Sequence, residues 1–413
     1  MKPLSFPDVV SAARGLLSPE MRASTLRALD GAPLTHALPA RMAGSQQSAL
    51  YHAEGDVWTH TMMVLREALA LVDDRALMAD LSMTEADCRV LLMTALLHDV
   101  AKPATAAINP DTGEIGNPGH SRIGALMARR ILWEQGCDPD EREAVASIIR
   151  YHQEPFWRAS RDQEYGAVFA TKFSLTASNR LLYLQALADA RGRRTADPSL
   201  REQTVEWVEL YRVMCEELGC FDRPHVWAND FTRMRYCLAR DRSSVFLSDI
   251  VHDTTSPDFE MTILCGLPAS GKSTWVETRA ADQPVVSLDR IRAAMKVEWS
   301  DNQGLVRQAA LEQMRSLLRK RQSFIVDATN LDEMRREPLI GLARDYGARF
   351  RGVAIECAHQ HWEERNTGRA DAVAPQVMER MVNRWSPPTA SEVWTAERYL
   401  AVSLNRRAAP GLS

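Results

Sequence analysis

An eight-residue glycine-rich segment, GLPASGKS at 266–273, strongly limits the fold around it. It follows the apolar run 261–265 and opens a stretch with helical periodicity. In that context the backbone N–H groups of the loop and the helix N-terminus hold phosphates, Lys272 reaches the β- and γ-phosphates, and Ser273 ligates Mg²⁺. The segment therefore predicts a strand–loop–helix unit that binds a nucleoside triphosphate, ATP or GTP.

After residue 258, short apolar runs alternate with amphipathic helical stretches. The apolar runs are 261–265, 285–288, 324–326 and 352–356, and the helical stretches are 272–281, 303–321 and 332–346. Strands that alternate with helices predict a parallel sheet with crossover connections. We therefore expect an α/β domain over 258–413.

The first half of the chain has helical periodicity instead. Apolar residues recur every three or four positions over 57–72 and 90–100, and Pro103 is expected to end the second pattern. Further helical segments cover about 124–133, 141–151, 175–191 and 203–218. Because no convincing strand precedes residue 240, we expect an all-α domain over 1–245, followed by a linker at 246–257.

The composition is that of a globular protein, with 45% hydrophobic residues, 25% charged residues and a net charge of -4. No apolar run approaches the roughly 20 residues that cross a bilayer, and the N-terminus lacks the apolar core of a signal peptide. The seven cysteines form no C-x-x-C pair, which disfavours disulfides and zinc–cysteine sites. We expect a cytoplasmic protein without membrane association. Its acidic balance still permits a local basic groove for nucleic acid.

A spread of histidines and aspartates runs through the helical half. Its members are His60, the pair His98 and Asp99, His120, His152 and Asp189. Metal-dependent hydrolysis of phosphoesters needs such ligands in one pocket, with coordination positions left open. A lone buried histidine is more often a hydrogen-bonded core residue, so the ordered set, rather than any single member, indicates a metal centre.

Two local patterns around Asp189 bear on this hypothesis. Asp189 lies in a leucine-rich helical segment, where a carboxylate is costly unless it is paired or bound to a metal. Arg191, Arg193 and Arg194 follow it directly. They could neutralise substrate phosphates, and an exposed basic turn is the equally weighted alternative.

Further charged residues follow the glycine-rich loop. Asp289, at the end of the second predicted strand, could accept a proton from an attacking hydroxyl, and Arg292 could grip an acceptor phosphate. Asp327 ends the next strand and suits a water-mediated contact to Mg²⁺. Arg365 and Arg369 are four residues apart, so on one helix face they could clamp the transferred phosphate. A solvated face is the alternative for this arginine pair.

The helical half resembles the HD phosphohydrolase superfamily over about residues 45–195, and within it most resembles the HD domain of bacterial tRNA nucleotidyltransferases. The matching stretches are GDVWTHT at 55–61, LHDVAKP at 97–103, GHS at 119–121, YH at 151–152 and AD at 188–189. The resemblance implies His60, His98, Asp99 and Asp189 as the principal metal ligands. It implies His120 and His152 as ligands of a second metal or contacts to phosphate. Imidazole-rich sites favour Mn, Co, Ni, Fe or Zn over Mg.

Residues 258–388 resemble the 5′-OH polynucleotide kinase family through the glycine-rich loop and the charged residues behind it. The resemblance implies Asp289 as general base, Arg292 at the acceptor phosphate, and Arg365 and Arg369 as lid arginines on ATP. With Lys272, these are the predicted catalytic residues. The ATP and Mg²⁺ site is then expected to comprise Gly266, Ser270, Gly271, Lys272, Ser273, Thr274 and Asp327.

Taken together, the two halves resemble the bacterial HD-Pnk end-healing enzymes. This resemblance implies hydrolysis of 2′,3′-cyclic phosphate or 2′-phosphate RNA ends by the first domain. It implies phosphorylation of 5′-OH ends of RNA or DNA by the second, with ATP or another NTP as donor and a separate ligase as partner. Homo-oligomer formation stays open.

Two alternatives keep the same motifs. In the first, the kinase acts on a small molecule or nucleoside and is fused to an HD nucleotide phosphohydrolase. Arg292 favours a nucleic-acid acceptor over it, because an acceptor without phosphate would not need that guanidinium. In the second, the chain is a nucleotide-gated binding or signalling module with a silent HD domain. The full ligand set and Asp289 disfavour a chain without catalytic activity.

Overall fold

The computed structural model describes residues 4–48, 50–156, 162–239, 258–298, 301–369 and 372–401. The chain divides into two compact units, Lys2–Val226 and the part from Trp227 onward. This division precedes residue 245, the predicted end of the first domain. The reason is that helix Asp230–Leu238 belongs to the second unit, where Met234 joins the core and Arg233 donates a hydrogen bond to the Val393 carbonyl. The predicted linker at 246–257 lies outside the described residues.

The first unit is helical around one apolar core. Its described helices are α1 (Val9–Leu17), α2 (Pro19–Asp30), α3 (Ala37–Ala43), α4 (Val57–Asp73), α5 (Arg75–Asp80), α6 (Glu85–Leu97), α7 (Lys102–Thr105), α8 (His120–Glu134), α9 (Pro139–Tyr151), α10 (Gln163–Phe173), α11 (Asn179–Arg191) and α12 (Pro198–Glu217), with 3₁₀ turns at Ala32–Leu34 and Glu154–Phe156. The predicted helical class is confirmed.

Two local predictions for this unit were wrong. A hairpin of two-residue strands, β1 (Ala107–Ile108) and β2 (Ile115–Gly116), pairs antiparallel in the region where no strand was expected. Strands this short and exposed leave no alternating pattern in the sequence. Pro103 does not simply end a helix, because it lies in the first turn of α7, where a missing N–H costs nothing.

Local signals fix the ends of the two long helices that matter most for the site. Asp56 caps α4, since its side chain accepts a hydrogen bond from the Thr59 backbone N–H. Thr84 and Asp87 form a reciprocal capping box at the start of α6. These caps determine where α4 and α6 begin, and therefore where the histidines on them lie.

The second unit is a parallel sheet with helices. Its strands are β3 (Glu260–Cys265), β4 (Val285–Ser287), β5 (Phe324–Asp327), β6 (Arg349–Glu356) and β7 (Thr395–Leu400), in the order β4-β5-β3-β6-β7 with every pair parallel. Its helices are α13 (Asp230–Leu238), α14 (Lys272–Arg279), α15 (Leu288–Met295), α16 (Gln303–Arg319), α17 (Glu333–Asp345), α18 (His359–Thr367) and α19 (Pro375–Val382). The predicted α/β class is confirmed.

The sheet buries both faces, as a parallel sheet with crossover helices must. Phe324 and Val326 belong to one apolar cluster, while Ile325 between them belongs to another. Strand β7 was not predicted because its sequence, TAERYL, is half polar. It lies at the edge of the sheet, where its residues are partly exposed. The central position of β3 places the loop that follows it between the ends of β5 and β6.

Among the helices of the described residues, none is both long and apolar enough to cross a membrane.

Candidate metal centre and nucleotide site

The predicted histidines and aspartates of the first unit meet in one buried cluster. His60 lies in α4, His98 and Asp99 directly follow α6, His120 begins α8, His152 follows α9, and Asp189 lies in α11. Each of the six residues is at most 5% exposed. Residues more than a hundred positions apart in sequence therefore share one pocket, which we call the HD cluster.

Small residues let the helices approach closely enough for this convergence. A Cβ on Gly192, just after α11, would lie 2.9 Å from the backbone nitrogen of Val64 in α4. Gly124 in α8 similarly faces the carbonyl oxygen of His98, at 3.6 Å from an added Cβ. Close packing of α11 on α4 brings Asp189 within reach of His60.

Three histidines of the HD cluster are oriented by backbone carbonyls. Nδ1 of His98 lies 2.9 Å from the oxygen of Ala95, and His120 and His152 make the same contact at 2.8 Å with the carbonyls three residues before them. A carbonyl only accepts hydrogen bonds, so each Nδ1 carries the proton. The lone pair of a neutral ring is then on Nε2, the atom that faces the cluster.

The inner atoms are spaced as metal ligands are. Nε2 of His60 lies 3.4 Å from Nε2 of His98 and 3.2 Å from Oδ1 of Asp189. Two atoms bound at about 2.1 Å to one tetrahedral ion would be about 3.4 Å apart. Within the described residues, Asp99 Oδ1 and His120 Nε2 are buried without a hydrogen-bond partner. A divalent cation fits this set of acceptors.

The candidate ligands separate into two groups around Asp99. His60, His98 and Asp189 form one group, and Asp99, His120 and His152 form the other. Oδ2 of Asp99 also lies 3.3 Å from Nε2 of His98, so this carboxylate faces both groups. The resemblance places Asp99 among the principal ligands, whereas here its carboxylate lies with His120 and His152 and also approaches His98. Assignment of the six as ligands stays a prediction.

Two buried cations accompany the carboxylates. Lys102 Nζ lies 2.7 Å from Asp99, and Arg193 makes a bidentate pair with Asp189 at 2.9 Å. Burial alone would raise the pKa of both carboxyls, but these cations hold the pKa of each well below its ordinary value. Arg191 and Arg194 are exposed. The arginine cluster is therefore not simply an exposed turn, because Arg193 is buried against a candidate ligand.

Protonation of the imidazoles follows from their neighbours. Burial lowers the pKa of His152 to about 3, so that ring is neutral at neutral pH and its Nε2 is available. Burial would also lower the pKa of His98, but Asp99 beside it raises the value above its ordinary range. Protons and metal thus compete for His98 Nε2, and metal binding there releases a proton.

The sequence analysis missed a second layer of polar residues around the HD cluster. Glu54 lies with Oε1 2.8 Å from Nδ1 of His60 and accepts a hydrogen bond from Nδ1 of His52. Gln47 accepts a hydrogen bond from Lys102. Burial acts to raise the pKa of Glu54, but hydrogen bonds from His52 and His60 hold it below its ordinary value. These residues lie in a loop without periodicity, so no spacing pattern marks them.

The glycine-rich loop of the second unit lies between β3 and α14, as predicted. Gly271 has a φ of 105° and caps α14, whose first turn contains Lys272, Ser273 and Thr274. The Nζ of Lys272 donates hydrogen bonds to the carbonyls of Gly266 and Leu267 at 3.0 and 2.8 Å. Ser270 is buried inside the loop. The backbone N–H groups at the start of α14 therefore face the loop interior, where phosphates bind.

The predicted acidic residues lie at neighbouring strand ends. Asp327 ends β5, and its Oδ2 accepts a hydrogen bond from Ser287, the last residue of β4. Burial raises the pKa of Asp327 above its ordinary value, while Lys272 opposes this. Asp289 lies in the first turn of α15 with a side chain 78% exposed, and Arg292 donates to its Oδ1 at 2.6 Å. Both carboxylates act electrostatically on Lys272, so they share its site.

The predicted arginine pair is only partly as expected. Arg365 lies in α18, and its Nη1 would be 3.7 Å from a Cβ added to Gly271 of the loop. Arg369 does not share a helix face with it, because α18 ends at Thr367 and Gly368 is the C-cap. Arg369 nevertheless acts electrostatically on Lys272. Both arginines therefore lie near the loop, but the predicted i, i+4 geometry was wrong.

Gly266→Ala is expected to weaken nucleotide binding at least tenfold. The added Cβ would lie 2.4 Å from the Ile355 carbonyl oxygen and 2.6 Å from Ser270 Oγ, so the loop must shift away from β6. Gly341→Ala in α17 is the matched control, since nothing lies within 4 Å of its Cβ and alanine favours a helix. Calorimetric titration with Mg–ATP measures both, and equal affinities would contradict this account of the loop.

Nucleotide affinity is expected to fall as pH rises above 8. Burial lowers the pKa of Lys272 from 10.5 to about 8, with Asp327 opposing, so the ammonium is present below pH 8 and lost above it. Bound phosphate favours the charged form, so above pH 8 binding must take up a proton and Kd should rise by up to about tenfold per pH unit. Titrations from pH 7 to 9.5 measure this, and a constant Kd would contradict it.

Family models match both units. A model described as an HD domain matches residues 57–207, and a model described as an AAA domain matches residues 261–388. Together with the geometry above, the matches identify an HD domain in the first unit and an AAA-type P-loop domain in the second. HD domains are metal-dependent and P-loop domains bind nucleotides, so the chain combines a metal-dependent type of domain with a nucleotide-binding one.

Among known proteins, the A-adding tRNA nucleotidyltransferase of Deinococcus radiodurans is 33% identical over 149 residues, covering 36% of this chain and 29% of that protein. The CC-adding tRNA nucleotidyltransferase of Thermus thermophilus is 32% identical over 145 residues, covering 34% of this chain and 30% of that protein. The chain thus spans under a third of the length of these curated relatives. The crystal structure of a putative kinase from Chloroflexus aurantiacus is 18% identical and covers 36% of this chain and 86% of its own, with a TM-score of 0.30.

Proposed function

We propose that this chain prepares both ends of a broken nucleic-acid strand for ligation, as the HD-Pnk enzymes that it resembles do. The HD domain hydrolyses 2′,3′-cyclic phosphate and 2′-phosphate ends of RNA. The kinase domain transfers the γ-phosphate of ATP to 5′-OH ends of RNA or DNA. A separate ligase then joins the two ends.

The pair Asp289 and Arg292 carries the kinase half of the proposal. Asp289 is exposed at the carboxyl end of β4, the position from which side chains reach ligands in a parallel α/β sheet. Its carboxylate can accept the proton of a 5′-hydroxyl as that oxygen attacks the γ-phosphorus, and the bond from that phosphorus to the β,γ-bridging oxygen breaks to release ADP. Arg292 holds this carboxylate at 2.6 Å and is itself 11% exposed, so it orients the base and presents charge to a neighbouring phosphate.

The remaining kinase residues bind and stabilise phosphate. Lys272 and the N-terminus of α14 hold the β- and γ-phosphates, and the Arg365 guanidinium lies next to Gly271 of the loop. Ser273 and Asp327 are the side chains that would hold Mg²⁺, which supplies charge compensation on the phosphates when bound. The positive groups thus surround the oxygens on which charge develops during transfer.

The HD cluster supports the phosphoesterase half. Asp99 faces both ligand groups, and a divalent ion held there would supply a water of lowered pKa and polarise a phosphoryl oxygen. The imidazole-rich donor set favours Mn, Co, Ni, Fe or Zn. Lys102 and Arg193 keep Asp99 and Asp189 ionised and in place. The resemblance to tRNA nucleotidyltransferases favours an RNA end as substrate.

One observation favours a second candidate acceptor. Arg292 is already engaged, because its Nη1 donates to Asp289 and its Nε donates to Gln303 at 3.1 Å. A nucleoside or small alcohol without phosphate would need no further contact from this guanidinium. The second candidate is therefore a small-molecule kinase fused to an HD nucleotide phosphohydrolase.

An oligonucleotide with both ends marked tests the proposal. The protein is incubated with Mg–ATP, Mn²⁺ and an RNA oligonucleotide bearing a 5′-OH and a 2′,3′-cyclic phosphate, and both ends are analysed by mass spectrometry. We expect a 5′-phosphate and a 2′,3′-diol end. A parallel reaction with adenosine as acceptor tests the second candidate. Phosphorylation of adenosine alone would overturn the polynucleotide assignment, and ATP-dependent RNA binding without turnover at either end would indicate a signalling module instead.

A further inference from the structure

Glu54 is a buried carboxylate that lies close to three nitrogen atoms, and it is outside the predicted ligand set. Its side chain is 1% exposed. Oε1 lies 2.8 Å from Nδ1 of His60 and 2.9 Å from Nδ1 of His52, and Oε2 accepts a hydrogen bond from the Arg194 backbone N–H at 2.9 Å. The carboxylate thus accepts hydrogen bonds from His52 and from the Arg194 backbone, and it lies at ion-pair distance from His60 Nδ1.

We propose that Glu54 is the positioning residue of the HD cluster, which fixes His60 as the Nδ1–H tautomer and turns its Nε2 lone pair toward the metal ions. The inference rests on the proposed metal-dependent phosphoesterase, and it adds a residue that touches no substrate. A carboxylate behind a metal-bound histidine also makes the imidazole a stronger ligand.

His60 needs this partner because its own helix does not supply one. His98, His120 and His152 each direct Nδ1 to the carbonyl three residues earlier. The corresponding carbonyl for His60 is that of Val57, which instead accepts a hydrogen bond from the Thr61 hydroxyl at 2.8 Å. Glu54, from the loop before α4, replaces the missing backbone acceptor.

The alternative for these residues is a separate metal site formed by His52, Glu54 and His60. The distances of 2.8 and 2.9 Å from Oε1 to the two Nδ1 atoms are those of hydrogen bonds and are shorter than the roughly 3.4 Å between ligands of one ion. The Lys102 ammonium also lies 3.4 Å from Nε2 of His52, where it would repel a cation. The geometry therefore favours a hydrogen-bonded carboxylate over a third metal ion.

Hydrogen bonds join the loop that contains Glu54 to Arg194, which follows α11. The Ala53 N–H donates to the Arg194 carbonyl at 2.6 Å, and the Arg194 N–H returns a hydrogen bond to Glu54. Arg194 directly follows Arg193, which holds Asp189. These hydrogen bonds therefore help to position both His60 and Asp189, two members of the same ligand group.

Metal binding without substrate tests the role of Glu54. Full-length protein is stripped with a chelator and titrated with Co²⁺ alone, by calorimetry and visible absorption. Glu54→Gln leaves either His60 or the Arg194 N–H facing an amide NH₂, so we expect Co²⁺ affinity to fall about 10- to 100-fold with an altered absorption spectrum. Kinase activity is expected to stay near that of the wild type, while the Tm of the stripped protein should fall because a buried donor then faces another donor.

Glu143→Gln is the matched control, because Glu143 is a buried carboxylate of the same unit that pairs with Arg129 and Arg142 instead. It should lower Tm without changing Co²⁺ affinity. Wild-type affinity in Glu54→Gln, or equal losses in both variants, would overturn the positioning role.

Glu54→Asp is the second variant, in case Glu54→Gln does not fold. It keeps the charge and withdraws the carboxylate by about 1.5 Å, so its Co²⁺ affinity should also fall. Unchanged affinity in this variant would overturn the proposal as well. Absence of Co²⁺ binding by the wild type would overturn the metal centre itself, and with it both proposals.

Discussion

Asp289→Ala is expected to lower 5′-phosphorylation of an oligonucleotide by about 10²- to 10⁴-fold, the usual contribution of a general base. The substitution removes the carboxylate at the carboxyl end of β4 and frees one arm of Arg292. Because the Asp289 side chain is 78% exposed, its charge should change ATP affinity by no more than about fivefold, or about 1 kcal/mol. Loss of kcat with nearly unchanged Kd for ATP is the signature of a group that acts in the transition state.

Asp282→Ala provides the matched control for that experiment. Asp282 is also exposed, but it precedes β4, at the opposite end of the strand from Asp289. It should retain wild-type kinetics. End-labelling with γ-labelled ATP measures turnover, and calorimetry measures ATP binding. Normal turnover in Asp289→Ala would exclude Asp289 as the general base.

The sequence was sufficient for the two fold classes because local signals agree with the tertiary structure there. The glycine-rich loop requires a strand before it and a helix after it, and β3 and α14 are in those positions. Strand β7 could not be predicted, because an edge strand needs only partial burial and its pairing partner β6 is about forty residues away. The place of α13 depends on contacts of Arg233 and Met234 with residues far along the chain.

In the candidate sites too, residues with a local sequence signal could be predicted, and residues whose role depends on distant contacts could not. Histidines and aspartates in helices could be singled out, because such residues are costly in an apolar interior unless they have a partner. Glu54 and Gln47 lie in a loop, and only the approach of that loop to α4 and Lys102 gives them a role. The mismatch at Arg369 has a local cause, since α18 ends at Thr367 with Gly368 as its C-cap, two residues before the position that the helix would have had to reach.

Asp99→Asn is expected to lower hydrolysis of a 2′,3′-cyclic phosphate end by about 10³-fold or more, or roughly 4 kcal/mol of transition-state stabilisation, and to leave the kinase unchanged. Asp99 faces both ligand groups: Oδ2 lies 3.3 Å from Nε2 of His98, and Oδ1 lies 3.6 Å from Nε2 of His120. An amide keeps the shape but loses the charge that holds a cation. The Lys102 ammonium also loses its counter-charge at 2.7 Å, which further opposes metal binding.

Loss of the Asp99 charge also removes the counter-charge of Lys102 and destabilises the unit. The control must therefore distinguish a loss of folded protein from a loss of catalysis. Asp87→Asn has the same chemical change in the same unit, at a carboxylate that pairs with Arg180 at 3.2 Å and caps α6. Both variants should lower Tm, but only Asp99→Asn should lose metal and phosphoesterase activity. The kinase, assayed in the same samples, reports the amount of folded protein. Persistence of cyclic phosphate hydrolysis in Asp99→Asn, with metal content unchanged, would place the phosphoesterase outside the HD cluster.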